Sequence, residues 1–253
     1  MKKILVISDT QCPYENKRGV ASLCNFMADF QPDLVLHVGD DIDSPETSRW
    51  NKNLAGEYAD TLQKAFRATH NMHQLFRDAM GASTPYHVMR SNHGDRTETY
   101  VRKYAPALVG LECLRIEELI GYEDLDITYH RRPYEFTPGW LLCHGDEAGL
   151  SQIPGSTAMG LARLTGKSVV CGHSHKQGLQ HLTTGVNGHT RTRFGVEVGN
   201  LMDIRKAQYL ATGSANWQAG FGILYQDGVD VYPYVVPMKP DGSFICGGRK
   251  YKA

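Results

Sequence analysis

Short apolar runs recur along the first two thirds of the chain, and polar residues follow each run at once. The runs cover residues 4–7, 34–38, 86–89, 140–143 and 168–171. Apolar runs of this length predict buried strands. Between the first two runs, apolar residues fall at helical spacing from Val20 to Phe30, and Pro32 ends that helix. The order strand, helix, strand predicts a right-handed parallel crossover.

Helices and further strands are predicted for the rest of the chain. A long helix is expected over 57–80, capped by Gly81, and a shorter one over 157–164, followed by Gly166. The segment 97–129 has a mixed, partly helical pattern, and this pattern does not predict how the segment packs against the core.

The character of the chain changes after His175, where glycines and β-forming residues dominate. Strands are expected over 194–198, 222–225 and 229–236, separated by turn dipeptides such as Asn187-Gly188. We expect antiparallel strands that complete a second sheet. The whole pattern predicts an α/β protein with two layers of strands and helices outside them.

Composition narrows the class of protein. With 253 residues and 41% hydrophobic content, the chain can bury a substantial core, and one domain over 1–253 is expected. The 27 basic and 27 acidic residues balance, which disfavours a nonspecific nucleic-acid binder but leaves room for a local basic patch. The six cysteines form no C-x-x-C pair, so free thiols in a reducing compartment are expected. The apolar run at the N-terminus is too short for a signal peptide, and no stretch is long enough to span a bilayer, so we expect a cytoplasmic protein.

Residues that can hold a metal follow each of the five predicted strands. They are Asp9, Asp40, Asn92 with His93, His144, and His173 with His175. Oxygen and imidazole ligands suit Mn, Fe, Zn or Ni better than Ca, and the thiolates of structural zinc sites are missing from the set. Because these ligands exceed the needs of one ion, two ions sharing a carboxylate are expected, about 3.5–4 Å apart.

The ordered motifs resemble those of the calcineurin-like metallophosphoesterase superfamily, whose signature is D-x-H, G-D-x-x-D, G-N-H-[DE], H and G-H-x-H. The matching residues are Asp9-Thr10-Gln11, Gly39-Asp40-Asp41-Ile42-Asp43, Ser91-Asn92-His93-Gly94-Asp95, His144 and Gly172-His173-Ser174-His175. Each motif alone is weak, but all five follow in order, each after a predicted strand. The resemblance implies a four-layer fold of two mixed sheets flanked by helices. The Asp-Thr-Gln and Ser-Asn-His variants look similar to phage-encoded members.

The resemblance also implies a role for each matched residue. Asp40 would bridge both ions, Asp9 and His175 would hold the first ion, and Asn92, His144 and His173 would hold the second. His93 would act as general acid or would stabilise the phosphoryl oxygen, and Asp43 would hydrogen-bond it and keep it protonated. A metal-bridging hydroxide would attack phosphorus in line while both ions neutralise the phosphate oxygens.

Several residues depart from the family pattern. Gln11 replaces the histidine of D-x-H, and its amide oxygen is a weaker ligand, so the first ion is expected to bind more loosely and to be Mn. Ser91 replaces a glycine, and an extra Gly94 precedes Asp95. Ser44 stands where many family phosphatases have an arginine, and Arg96 could bind phosphate in its place.

Some alternatives stay open at this point. Asp41 competes with Asp40 as the bridging ligand, although the position directly after Gly39 favours Asp40. An aromatic and basic set could line a nucleic-acid groove, although a solvated face is favoured. The set comprises Tyr100, Arg102, Lys103, Tyr104, His130, Arg131 and Arg132. The segments 44–56 and 97–132 are expected to flank the pocket and to set substrate choice.

The leading hypothesis is a phosphoesterase with two divalent ions, Mn favoured over Fe, Zn or Ni, acting on a phosphodiester in a nucleic acid or a nucleotide. The alternatives are a phosphomonoesterase, including a protein phosphatase, and a noncatalytic binding protein on the same fold. The missing arginine at Ser44 counts against the protein phosphatases, and the nearly complete ligand set counts against the noncatalytic protein. A homo-oligomer is compatible with the sequence, but no pattern indicates one.

Overall fold

A computed structural model describes residues 1–58, 61–206 and 215–253 of the protein. The α-helices are α1 (Lys17–Phe30), α2 (Leu62–Met80), α3 (Asp95–Tyr104), α4 (Ile116–Ile120) and α5 (Ser156–Thr165). Short 3₁₀ turns lie at Pro45–Thr47, Arg49–Asn51, Ala55–Tyr58, Pro106–Leu108, Glu112–Leu114, Glu123–Leu125 and Ile204–Lys206. None of the helices in these ranges is long and apolar enough to cross a membrane.

The strands fall into two larger sheets and a small hairpin. They are β1 (Lys2–Ile7), β2 (Leu34–His37), β3 (Tyr86–Met89), β4 (Ile127–His130), β5 (Tyr134–Thr137), β6 (Trp140–Leu142), β7 (Ser168–Cys171), β8 (Gln177–Val186), β9 (His189–Val198), β10 (Gly220–Asp227), β11 (Asp230–Pro237), β12 (Phe244–Cys246) and β13 (Arg249–Tyr251). The first sheet has the order β11-β10-β1-β2-β3-β4, the second has the order β5-β6-β7-β9-β8, and β12 pairs with β13.

Parallel strands form the centre of each sheet, and antiparallel strands form edges. In the first sheet β1 to β4 are parallel, with Val6 paired to Leu36. In the second sheet β6, β7 and β9 are parallel, with Val170 paired to Val196. Parallel strands covered on both faces need apolar residues at nearly every position. This requirement explains the continuous apolar runs that the sequence shows.

Alternate residues of each strand point to opposite faces, and this alternation builds the layers. On β1, Ile4 and Val6 join a core between the two sheets, together with Leu142 and Val170. Leu5 and Ile7 point to the other face, where a second core includes residues of α1 and α2. Helix α5 covers the outer face of the second sheet. The predicted fold class is therefore confirmed: two mixed sheets face each other and helices flank them.

The helix ends follow from local sequence. Asn16 caps α1 by accepting a hydrogen bond from the Gly19 amide, and Gln31, whose φ is 48°, caps its C-terminal end. Gly81, with φ of 91°, ends α2 as expected. The long helix was expected from residue 57, but α2 begins at Leu62. Residues 59 and 60, which that prediction included, lie outside the described residues.

One expectation about the C-terminal strands was wrong in part. Strands β8 and β9 do complete the second sheet, but β10 and β11 join the first sheet, where β10 pairs antiparallel with β1. β1 can pair on both of its edges, and β2 covers only one of them. The hairpin of β10 and β11 covers the other edge, which leaves β1 central and buried. The mixed segment also contains β4, which extends the first sheet beyond β3.

Candidate metal centre

The carboxyl ends of β1, β2, β3, β6 and β7 carry the residues that the sequence singled out as ligands. Asp9 lies two residues beyond β1, Asp40 three beyond β2, and His144 two beyond β6. These three side chains are buried, with exposures of 0%, 1% and 0%. Ligands of open α/β sheets bind at this edge. The structure thus brings together side chains that are separated by up to 166 residues of sequence, from Asp9 to His175.

The backbone of these loops is bent into an uncommon conformation. Positive φ angles occur at Asp9 (47°), Gln11 (47°), Asp40 (51°), His173 (62°) and His175 (56°). Non-glycine residues adopt this region at an energetic cost, and such residues cluster at functional sites. We interpret the bends as the means by which each loop turns its side chain back toward a common point.

Close approach of the loops also explains two glycines of the motifs. A Cβ atom at Gly172 would collide with the side chains of Ser8 and Asp9. At Gly39, with φ of 100°, a Cβ would lie 2.9 Å from His144 Nδ1. Any larger residue at either position would push a ligand residue out of place.

Asp9, Asp40 and His175 form the first group of possible metal ligands. One ligand atom from each lies within 4.8 Å of the others. Asp9 Oδ1 is 3.2 Å from His175 Nε2. Gln11, with 1% exposure, places its Nε2 atom 3.0 Å from the same histidine nitrogen. Gln11 therefore lies inside the first group, as the motif predicts, and not on the surface.

Asp40, His144 and His173 form the second group, again within 4.8 Å of one another. Asp40 Oδ1 is 3.4 Å from His144 Nε2, and Asp40 Oδ2 is 3.9 Å from His173 Nδ1. Asn92 Oδ1 is 2.9 Å from His144 Nε2. His144 Nδ1 is 2.8 Å from the carbonyl oxygen of Val38, and a bond there directs Nε2 toward the group. Asp40 belongs to both groups, which is the position of a bridging ligand.

The chemistry of these atoms fits divalent cations. Asp9 Oδ1, Gln11 Oε1, Asp40 Oδ2 and His173 Nδ1 are buried, and no described residue hydrogen-bonds to them. Three of them are oxygens that can only accept, so each needs a hydrogen-bond donor or a cation. A divalent ion in each group would satisfy these atoms.

The electrostatics of the carboxylates agree with that requirement. Burial alone would raise the pKa of Asp40, but nearby His93 and His144 hold it well below its usual range. Burial also opposes ionisation of Asp9, but His175 lowers the pKa of that carboxyl. Burial lowers the pKa of His144, yet the charge of Asp40 outweighs it and raises the pKa to about 9. The two buried carboxylates are therefore held ionised where cations would bind.

His93, Asp43 and Arg96 form a connected triad beside the two groups. His93 Nδ1 is 3.1 Å from Asp43 Oδ1, and His93 Nε2 is 3.9 Å from Asp40 Oδ2. Arg96 pairs with Asp43, and its Nη2 lies 2.8 Å from His93 Nε2. Burial would raise the pKa of Asp43, but the hydrogen bond to His93 and the charge of Arg96 lower it. The contact between Asp43 and His93 lies where the sequence predicts it.

The guanidinium of Arg96 contacts other side chains of the site, which a residue that only binds phosphate would not need to do. Its guanidinium contacts Asp43 and His93, and it also lines a cavity next to Asn92. In this arrangement Arg96 donates to His93 Nε2 and holds the ring. Phosphate binding by Arg96 stays a prediction.

Asp41, the alternative to Asp40, faces the other way. Its carboxylate is 2.8 Å from His73 Nε2 and accepts a hydrogen bond from the Tyr122 hydroxyl at 2.5 Å. His73 in turn lies 2.6 Å from the Tyr86 hydroxyl. Sequence reasoning missed this buried network, because its members come from separate elements. The network anchors the backbone next to Asp40.

Two further residues support the centre. Glu147 accepts hydrogen bonds from the amides of His144 and Gly145, at 3.0 and 2.7 Å, and so holds the loop after β6. The ring of Trp217 lies 4.2 Å from the ring of His175. The only signal of Glu147 in the sequence was its place three residues after His144, while Trp217 had none.

Five of the seven residues in the predicted aromatic and basic set fall into two parts. Arg102 pairs with Glu98, and Arg131 pairs with Glu98 and Glu117, so these cations belong to a surface network of ion pairs. Tyr100, Lys103 and Tyr104 instead line the cavity next to Asn92 and Arg96, together with the 3₁₀ turn Arg49–Asn51.

The chain is similar to two phage proteins and to a solved structure. No protein-family model matches the chain. The gene 54 protein of Mycobacterium phage D29 is 37% identical over 256 residues, which cover 98% of this chain and 95% of that protein. The gene 54 protein of Mycobacterium phage L5 is 34% identical over 259 residues, covering 99% of each. Among solved structures, a Vps29 single mutant from Entamoeba histolytica matches with a TM-score of 0.50 and 13% identity, covering 99% of each chain.

Proposed function

Since the chain belongs to the same family as the gene 54 proteins of mycobacteriophages D29 and L5 and has the calcineurin-like metallophosphoesterase fold, we propose that it is a metal-dependent phosphoesterase. The observation that carries this proposal is the position of Asp40. Its carboxylate is shared by two groups of ligand atoms, Asp9 with His175 and His144 with His173. A carboxylate shared in this way is the hallmark of a site for two ions.

Each of the two groups of residues would hold one ion. Asp9, Gln11, Asp40 and His175 would hold the first ion, and Asp40, Asn92, His144 and His173 would hold the second. Bound there, two divalent ions supply an activated water and neutralise the charge on the phosphate oxygens. Because an amide oxygen replaces an imidazole at Gln11, the first site is oxygen-rich and we propose Mn as its ion.

His93 would deliver a proton to the leaving group from Nε2, which would have to be protonated and to give up its contact with Arg96. Its ring lies at the rim of the site, 3.9 Å from Asp40 and in contact with Asp43 and Arg96. Asp43 and Arg96 hold the ring on two sides, so they act as positioning residues. A proton donor at this place would assist the departure of an alkoxide.

A phosphodiester is the proposed substrate. Ser44 stands at the position of the arginine that many family phosphatases have, and its side chain is 1% exposed, with Oγ 3.4 Å from the His93 carbonyl. A cavity lined by Asn92 and Arg96 extends from the centre and offers room for a group attached to the second ester oxygen.

The test is hydrolysis of a small diester and a small monoester with Mn. Bis(p-nitrophenyl) phosphate and p-nitrophenyl phosphate would be compared on wild type, Asp40→Asn and, as a matched control, Asp230→Asn, which alters an exposed acid of β11. We expect faster turnover of the diester, no turnover by Asp40→Asn and no change in Asp230→Asn. Turnover of the monoester alone would overturn the diester assignment, and equal rates in wild type and Asp40→Asn would overturn the site.

A further inference from the structure

An open groove adjoins the metal centre on the side of Asn92 and Arg96. Its volume is about 430 Å³, within the range of sites that take an organic group. One wall is the 3₁₀ turn Arg49–Asn51 with Lys52, and the other is the face of α3 that carries Lys103 and Tyr104. We refer to it as the aromatic-basic groove.

The aromatic rings of this groove lie at its open rim. Trp50 is 73% exposed and Tyr104 is 43% exposed, so a large part of each residue is open to solvent. The ring of Tyr104 packs 4.8 Å from that of Tyr100, which fixes it on α3. Large aromatic side chains normally bury most of their surface, and exposed rings that flank a catalytic centre indicate a binding surface.

Cations surround the same rings. The guanidinium of Arg49 lies 4.6 Å from the centre of the Trp50 ring, and Lys52 Nζ lies 3.6 Å from that of Tyr104. Lys52 also pairs with Glu57, whereas Arg49 and Lys103 form no ion pair with any of the described residues. Two exposed positive charges are thus available next to stacking surfaces, in a chain whose net charge is zero.

We infer that the aromatic-basic groove binds a single strand of nucleic acid and leads it to the metal centre. Exposed rings stack on bases, and free cations bind the phosphates between them, which is the combination used by proteins that bind single strands. This inference rests on the proposed function, since it gives the diester a chemical identity.

Two features favour a strand over other nucleic-acid ligands. A duplex hides the faces of its bases, so it cannot stack on Trp50 and Tyr104. A mononucleotide needs an enclosed pocket, whereas Trp50 lies at a rim with most of its surface exposed. A strand that passes along the groove contacts Trp50 and Lys103 with one part and places a following phosphate beside Asn92.

Binding of a fluorescein-labelled oligothymidylate, measured by anisotropy, tests the inference. The protein carries Asp40→Asn and is kept in MnCl₂, so that the oligonucleotide is not cleaved. Adding Trp50→Ala is expected to raise the Kd by about 5- to 140-fold, the range that loss of one stacked base produces. Trp50→Phe keeps an aromatic face and is expected to raise it less. The matched control is Tyr232→Ala, which removes a ring that is 51% exposed on β11.

The charge component has its own measurement. Adding Lys103→Ala is expected to lower the slope of log Kd against log salt concentration by about 0.7, the value for one phosphate contact in a single strand. The control is Lys250→Ala, an exposed lysine on β13. Stronger binding of the duplex form, equal competition by thymidine monophosphate, or unchanged Kd values in both groove variants would each overturn the inference.

The outcomes also separate this inference from the proposed function. In one outcome, the wild type hydrolyses bis(p-nitrophenyl) phosphate but the groove variants bind the oligonucleotide as well as the controls do. This outcome would support the phosphoesterase activity and contradict nucleic-acid binding in the groove. In the opposite outcome, oligonucleotide binding depends on Trp50 and Lys103, but the protein hydrolyses no phosphoester. This outcome would support nucleic-acid binding in the groove and contradict the phosphoesterase activity.

Discussion

The metal centre and the aromatic-basic groove share a border at Asn92 and Arg96, but they are built in opposite ways. The side chains of the centre lie at strand ends, and most are buried, as Asp40 shows with 1% exposure, while Asn92 and His173 are partly exposed. Those of the groove lie on a short turn and one helix, and Trp50 is 73% exposed. The difference separates the two proposals: we assign the chemistry to the buried strand ends and the choice of substrate to the exposed segments. Substitutions in the two regions should therefore have different signatures.

Asp40 is the residue whose loss should have the largest effect. We expect Asp40→Asn to lower kcat by roughly 10³-fold or more, because both ions lose a shared charged ligand and several kcal/mol of charge stabilisation. The bound metal, measured by mass spectrometry after desalting, should fall as well. A variant with full metal content and normal kcat would show that the buried groups are not the centre.

His93 should affect the rate without affecting the metal. Loss of a general acid by His93→Ala is expected to lower kcat by about 10²–10⁴-fold. The loss should be smaller for esters of nitrophenol, a leaving group that needs no proton, than for alkyl esters. His189→Ala, which alters an exposed histidine at the start of β9, is the control. Equal losses for both leaving groups would remove His93 from the role of acid.

Gln11 should tune the affinity of the first site. Imidazole is a stronger donor than an amide oxygen, so Gln11→His is expected to tighten the first ion and to shift its preference from Mn toward Fe or Zn. Calorimetric titration of Mn and Zn into metal-free wild type, Gln11→His and Gln11→Ala would measure this change. The same first-site affinity in wild type and Gln11→Ala would mean that the glutamine is not a ligand.

Arg96 lies on the border between the two regions, so its variant sharpens the comparison. If its guanidinium binds substrate phosphate, Arg96→Ala raises KM, since an arginine forms charge-assisted bonds to phosphate oxygens. If it chiefly holds His93 and Asp43, kcat falls and the pH profile of kcat shifts while KM changes little. The contacts of Arg96 with both residues lead us to expect changes in kcat and KM together, of about tenfold or less in each.

Much of the centre could be predicted from the sequence because a buried parallel strand leaves a plain signal. Each ligand follows a continuous apolar run, and the order of the runs gives the order of the loops. Knowing where a strand ends to within one or two residues is enough to place Asp9 or His144 at the carboxyl edge of its sheet. The choice between Asp40 and Asp41 rested on one position of spacing, and the network around His73 that settles Asp41 was not foreseen.

Other features depend on contacts that no local pattern encodes. Strands β10 and β11 have the same pattern as a hairpin of either sheet, and only pairing with β1 assigns them to the first. The groove joins the turn at Trp50 to a helix some 50 residues later, and its residues look like an ordinary solvated face until the two meet. The candidate ligands could therefore be predicted from the sequence more completely than the aromatic-basic groove.

The central claim is that Asp40 holds two ions at once, and anomalous diffraction tests it most directly. A crystal of the wild-type protein grown or soaked in MnCl₂ would be measured at the Mn absorption edge. We expect two anomalous peaks about 3.5–4 Å apart, one beside Asp9 and His175 and one beside His144 and His173, with the Asp40 carboxylate between them. A single peak, or two peaks that do not share Asp40, would contradict it.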